Sequence, residues 1–184
     1  MILSVYSTFI NTYVFCFCIY LVYALSFYIK EFKSELIVNV GAAGSLNSKV
    51  NIGDTVVATR IADWDVDVPG WNRSIFSDKM SFACDGKFIK YFDTLKDKKI
   101  YKKGYIVSGD EFVYRNDQVK TIKKYFKDAL CCEMEGASVA NTCYAFNVPV
   151  AIIRSISDLT YKKNNYKKFD FNLQEDRCKM QVLI

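Results

Sequence analysis

Two carboxylates flank a methionine at Glu133-Met134-Glu135, directly after an apolar stretch. In an extended segment residues i and i+2 face the same side, so both carboxylates can face one pocket. Ionised carboxylates only accept hydrogen bonds, which suits the adjacent hydroxyls of a ribose. Methionine offers a flexible apolar surface for a sugar ring. The same residues also suit an exposed helix N-terminus, where glutamates favour the helix dipole. Arg154-Ser155-Ile156-Ser157-Asp158 ends the most apolar run, Val148 to Ile153. An aspartate there is partly desolvated and can donate a proton if its pKa is raised. Ser157 and Asp158 equally suit a helix N-cap, and Arg154 can orient a carboxylate or a water. Two further segments follow apolar runs: Gly41-Ala42-Ala43-Gly44, which reads as a tight glycine turn, and Ser108-Gly109-Asp110-Glu111-Phe112-Val113. The glycine run lacks GxGxxG spacing and the Lys-Ser/Thr of a P-loop.

These segments need elements to hold them. Leu36-Ile37-Val38, Thr55 to Ala58, Lys103 to Val107, Cys131-Cys132 and Val148 to Ile153 read as strands. Lys87 to Lys98, Val119 to Phe126 and Gly136 to Phe146 read as helices, and Gly53-Asp54 and Pro69-Gly70 as turns. Strands alternate with helices, so the class is α/β. In open α/β sheets, ligands bind beyond the carboxyl ends of strands, where all four segments fall.

The chain has 184 residues, 51% hydrophobic and 24% charged, enough for one domain with a sizeable core. It has no histidine, which excludes Ser-His-Asp and Cys-His catalysis and zinc sites with a His ligand. Seven cysteines match no CxxC spacing and read as reduced, core-filling thiols. The net charge of +5 is dispersed. Its densest part, Lys162 to Lys168 among Tyr161, Tyr166 and Phe169, reads as a solvated loop rather than a nucleic-acid site. Met1 to Ile29 contains no charged side chain. It is long enough for a membrane anchor, which Lys30 and Lys33 would orient with the rest in the cytoplasm. A buried helix of the domain, or a signal peptide without a basic n-region, are the alternatives. The expected division is therefore residues 1–29, then an α/β domain over 30–184.

In this order, Gly-Ala-Ala-Gly, Gly53-Asp54, Ser-Gly-Asp-x-Phe-Val, Glu-Met-Glu-Gly-Ala and Arg-Ser-Ile-Ser-Asp make a specific set. From about Glu31 to Thr160 the chain resembles the methylthioadenosine/S-adenosylhomocysteine nucleosidases, of the purine nucleoside phosphorylase-like superfamily. The resemblance implies a mixed central sheet flanked by helices and a homodimer. It implies hydrolysis of the N-glycosidic bond of a 5′-substituted adenosine, without metal or organic cofactor. It assigns Asp158 as the proton donor toward adenine N7, supported by Ser157. Phe112 would stack on adenine and the Val113 backbone would pair with its edge. Met134 and Glu135 would bind ribose, Glu135 through the 2′ and 3′ hydroxyls. Glu133 and Arg154 would line the site near the attacking water. Asp65 to Trp71, with Val68, resembles the loop each subunit lends to its partner's 5′-alkylthio pocket.

The sequence departs from that family in three places. The family's catalytic glutamate has no counterpart in Met1 to Val40, where Glu31 and Glu35 sit just before a strand. Ala42 stands where many members carry Ser or Thr. The tail from Tyr161 does not resemble the family's long last helix. The expectation is a domain incomplete at its N-terminus and a poor enzyme as written. A phosphorylase of the same superfamily and a truncated non-catalytic copy are the alternatives. The chain's 5 arginines speak against a phosphate site.

Overall fold

A computed structural model describes residues 2–6, 14–72, 80–94 and 101–160, with side chains from residue 19 onward. The chain runs β1 (Ile2–Tyr6), α1 (Val14–Phe32), β2 (Leu36–Ser45), β3 (Thr55–Asp63), β4 (Phe82–Ala83), α2 (Gly86–Thr94), β5 (Tyr101–Ser108), α3 (Asn116–Tyr125), β6 (Ala129–Glu133), α4 (Gly136–Ala145) and β7 (Val150–Leu159). The expected tail from Tyr161, its lysine loop and the end of the Lys87–Lys98 helix lie outside the described residues.

The sheet is mixed, as the resemblance implies, and five of its strands close on themselves. β2 pairs parallel with β7, β7 antiparallel with β3, and β3 parallel with β5. β5 pairs parallel with β6, and β6 returns antiparallel to β2 through Gly44–Cys132 and Ser45–Cys131. β1 lies parallel on the first half of β2, from Leu36 to Val40, and β4 lies on β3. Side chains alternate across the strands. Ile37 and Ile152 join the layer of α1 and α4, while Val38, Ala151 and Ile153 join Phe92 of α2 on the other face. A third cluster sets Val119 and Ile122 of α3 against Val107 and Trp64.

The uncharged N-terminal run divides into a strand and a helix. α1 buries Leu25 and Ile29 in the core shared with α4 and leaves Tyr20, Tyr23 and Phe27 exposed. The expected division at residue 29 thus falls inside this helix. Among the described residues, no helix is long and apolar enough to cross a membrane. Cys84, Cys131, Cys132 and Cys143 are free and buried, and burial pushes the Cys84 thiol up to about 12.

Two readings are corrected. Gly41 to Gly44 is not a tight turn: β2 continues through it to Ser45, with a register shift between Ala43 and Gly44. Strand pairing on both edges wins over the local turn tendency of glycine. Ser157 and Asp158 are not a helix N-cap, because β7 runs on to Leu159 alongside β2.

Candidate active site

The register assembles one continuous band across the sheet. Asp158 pairs with Gly44, Gly44 with Cys132, and Cys132 with Val107. One residue further, Glu133 pairs with Ser108 and Ser108 with Asp63. The carboxyl ends of β2 and β6 meet tail to tail here, so groups from oppositely directed strands converge. Gly44 permits the convergence. A Cβ there would collide with the Thr160 methyl and lie 3.1 and 3.3 Å from the Asp158 carboxylate oxygens. Asp158 is 4% exposed, and the Ser157 hydroxyl lies 2.8 Å from its Oδ1 and 3.2 Å from the Ala43 carbonyl. Ala42, half-buried, pairs with Ser155 next to them.

Arg154 and Glu133 form the centre of the band, their side chains 0% and 1% exposed. Arg154 Nη2 and Nε donate to Glu133 Oε2 at 2.6 and 3.1 Å. Its Nη1 donates to the Asn39 and Ile153 carbonyls at 3.2 and 2.9 Å, and Nη2 also reaches Asn39 Oδ1. Glu133 accepts the Glu135 N–H at 3.1 Å, the Gly136 N–H on both oxygens, and the Ser108 hydroxyl. The Ser108 oxygen in turn accepts the Ala137 N–H at 2.8 Å. Burial disfavours the Glu133 carboxylate. Against it, the Arg154 guanidinium, the Ser108 hydroxyl and the Gly136 N–H together hold its pKa below the usual range. Glu133, not Glu135, therefore caps α4 and braces β2, β5, β6 and β7 together.

Glu135 stands two residues on, 6% exposed, with no side-chain cap bond. Burial and then the Glu133 charge push its pKa up to about 8, against the pull of Arg154. The two glutamates thus do face one region, although residue 135 is not extended (φ −132°, ψ −28°). Met134 is half-buried between them. Asp63, absent from the sequence-based candidates, ends β3 beside this group. Burial, then Asp65, Glu133 and Asp110, push it up to about 7. Asn39 and Ser108 had no assigned role either. A polar residue inside Leu36-Ile37-Val38-Asn39-Val40 is a signal, since a buried amide needs a partner.

The loop residues are set apart from this band. Val113 is buried with Trp64 and Val107, while Phe112 is 43% exposed. Val68 to Trp71 forms a tight turn, the Trp71 N–H donating to the Val68 carbonyl at 3.0 Å. Trp71 lines a concavity with Thr121, Lys124 and Tyr125 of the α3 side, which contains none of Glu133, Glu135, Arg154 or Asp158. Among the described residues no cluster of His, Cys, Asp and Glu is arranged to hold a metal ion.

Residues 22–184 match the phosphorylase superfamily. A 5′-methylthioadenosine/S-adenosylhomocysteine nucleosidase of Buchnera aphidicola is 40% identical over 132 residues, which is 69% of this chain and 57% of that protein. The nucleosidase of Staphylococcus carnosus is 34% identical over 161 residues, 85% of this chain and 71% of that protein. The chain therefore spans less than two thirds of the length of the first of these relatives. The S. pneumoniae nucleosidase, solved with the transition-state inhibitor MT-ImmA, superposes with TM-score 0.77 at 28% identity, over 90% of this chain and 74% of that one. A Borrelia burgdorferi structure described as a putative nucleosidase and bound to adenine superposes with TM-score 0.73 at 32% identity, over 89% and 74%. With this family match and these identities, the chain belongs to the 5′-methylthioadenosine/S-adenosylhomocysteine nucleosidase family within the phosphorylase superfamily.

Proposed function

We propose that this chain binds a 5′-substituted adenosine of the methylthioadenosine and S-adenosylhomocysteine kind and promotes hydrolysis of its N-glycosidic bond to adenine and a thioribose. The observation that carries the reading is the buried Asp158 with the Ser157 hydroxyl at its oxygen, on the sheet crossing that runs through Gly44 to Cys132, next to Glu133 at the end of β6. Adenine is a poor leaving group until N7 is protonated. Asp158 delivers that proton, and Ser157 holds the carboxyl and stabilises it once ionised. Glu135 takes the 2′ and 3′ hydroxyls, and Met134 lies against the sugar. Phe112 stacks on the base, and the Val113 backbone pairs with its edge. The sugar develops oxocarbenium character, which carboxylates lining the site stabilise.

Glu133 and Arg154 act as positioning groups in this reading, because their donors and acceptors are engaged by each other and by the fold. Glu31 and Glu35 are exposed and precede β2, whereas the site lies at its far end. A strand of ten residues puts roughly 30 Å between them. Neither activates the attacking water. Turnover by the Met1–Ile184 polypeptide is accordingly expected ~10²–10⁴ below that of the S. carnosus relative, the usual worth of one acid or base. The second proposed partner is another copy of the chain, whose Val68–Trp71 loop completes the 5′ pocket. Trp71, 55% exposed, supports this.

The test measures methylthioadenosine binding by calorimetry and adenine release with and without phosphate. The expected result is binding, with slow release that does not depend on phosphate. Release that requires phosphate makes it a phosphorylase, and absence of binding overturns the reading.

A further inference from the structure

The loops leaving β3 and β5 run side by side and are tied at three successive points. The Trp64 N–H donates to the Ser108 carbonyl at 2.8 Å, one step past the last strand pair, Asp63 with Ser108. The Trp64 indole lies on Gly109, where any side chain would collide with the ring. Asp65 Oδ2 then accepts the Asp110 N–H at 2.6 Å. The other end of the β5 loop is held from α3. Gln118 Oε1 accepts the Tyr114 and Arg115 N–H groups at 3.1 and 2.9 Å. Gln118 Nε2 donates to Glu111 Oε2 at 2.8 Å and to the Phe112 carbonyl at 3.3 Å. Phe112 and Val113 hang between these two fixings.

We infer that Asp65 is a positioning residue for the base-binding segment: its carboxylate fixes the Asp110 peptide and so sets where Phe112 and Val113 meet the purine. The functional meaning of this inference rests on the purine-binding reading of Phe112 and Val113. Asp65 is an unfavourable place for a charge. Burial, and then the carboxylates of Asp110 and Glu111, push its pKa up, and the Asp110 N–H and its own N–H work against them. The Asp65 carboxylate in turn disfavours the charge of Asp63. A carboxylate held against burial and two like charges needs a compensating donor, and the Asp110 amide is that donor. The same bond ties the base-binding segment to the loop that carries Val68 and Trp71, so the two loops move together.

Hydrogen–deuterium exchange on the free 184-residue chain tests the tie without any ligand. In Asp65→Ala, amides from Gly109 to Val113 are expected to exchange about tenfold faster, with Ile106 and Val107 in β5 unchanged. Asp65→Asn keeps a carbonyl oxygen that can accept the same N–H and is expected to stay close to the parent. Adenine affinity is expected to fall about tenfold in the alanine variant and less than threefold in the asparagine variant. Asp65→Leu, similar in size and without an acceptor, replaces alanine if that variant does not fold. Unchanged exchange from Gly109 to Val113 overturns the inference. So does equal acceleration in β5, or equal loss in Asp65→Asn. A parent chain that binds no adenine sinks the nucleosidase reading instead, while the exchange comparison still decides the role of Asp65.

Discussion

Glu133, Glu135, Arg154 and Asp158 are at most 7% exposed, whereas Val68, Phe112 and Trp71 are 37%, 43% and 55% exposed. Of the first group, Glu133, Arg154 and Asp158 sit on strands of the closed sheet and Glu135 at the helix start just past one of them, and Glu133 and Arg154 spend their polar atoms on their own chain. The second sits on loops and turns apolar area to solvent. Folding of one polypeptide is enough to set the groups that handle protons and sugar hydroxyls. Burial of the loop aromatics needs something placed on them, either substrate or a second copy. A preorganised polar centre stabilises developing charge without rearranging during the reaction. Within the buried group the contrast repeats at close range. Glu133 is held ionised by Arg154, while Glu135, two residues on, holds its proton to about 8.

Asp158→Asn probes the buried half most sharply. Adenine release should fall ~10²–10⁴-fold, with the unfolding midpoint little changed. Full activity in that variant removes Asp158 from the mechanism. Next, Arg154→Met strands the buried Glu133 charge and should cost about 3–5 kcal/mol in denaturant unfolding. The double variant Arg154→Met with Glu133→Gln should recover part of this, and additive losses would show that the two are not coupled. Glu135→Gln should weaken nucleoside binding by about 1.5–3 kcal/mol, as for a hydrogen bond to a charged group, and leave free adenine binding nearly unchanged. Equal loss for both ligands would make Glu135 structural.

The raised pKa values predict a pH dependence. Glu135 holds its proton to about 8 when folded, against 4.5 as its ordinary value, and Asp63 to about 7, against 3.8. Their contribution to stability is fully present below those ordinary values and is lost as pH rises through about 7 to 8. Nucleoside affinity should run the other way, rising toward pH 8 as the Glu135 carboxylate forms, and the rise should vanish in Glu135→Gln. Calorimetric affinity that is flat between pH 6 and 9 breaks this part of the contrast. The smallest effect on folding is expected from the exposed half. Trp71→Ala should change stability by no more than about 0.5 kcal/mol, because an exposed side chain loses little packing. It should still weaken self-association in sedimentation. A chain that is monomeric at micromolar concentration yet holds a complete 5′ pocket would refute the loop exchange.

Much of this layout was legible from residues alone because the chemistry follows apolar strands with sharp boundaries. Cys131-Cys132-Glu133 and Val148 to Ile153 read as strands that lead into polar residues, and strands stand there, the second beginning at Val150 and running on to Leu159. Gly41 to Gly44 did not, since small residues carry weak strand preference and the partners that extend β2, Asp158 and Cys132, are remote in sequence. The N-terminal run gave no usable periodicity, being apolar on nearly every face, so its division into β1 and α1 was hidden. Asp63 carries no chemical signal in its local sequence. Its environment depends on Glu133 and Asp110, which no local pattern brings to it. Asn39 was the missed clue, because a side-chain amide buried in an apolar strand anticipates a donor such as Arg154 Nη2.

The closing of the five-strand ring also fixes a timetable. Asn39 precedes Arg154 by 115 residues. At ordinary rates of synthesis that gap takes about 6–23 s. β2 is made before β7 and waits that long for it, and β1 pairs with Leu36–Val40 on the opposite edge, so the edge awaiting β7 stays uncovered. The waiting edge is a target for chaperones and a hazard for self-adhesion. The strand that ends the wait is the one that carries Asp158, so no nascent form is competent before the ring is shut.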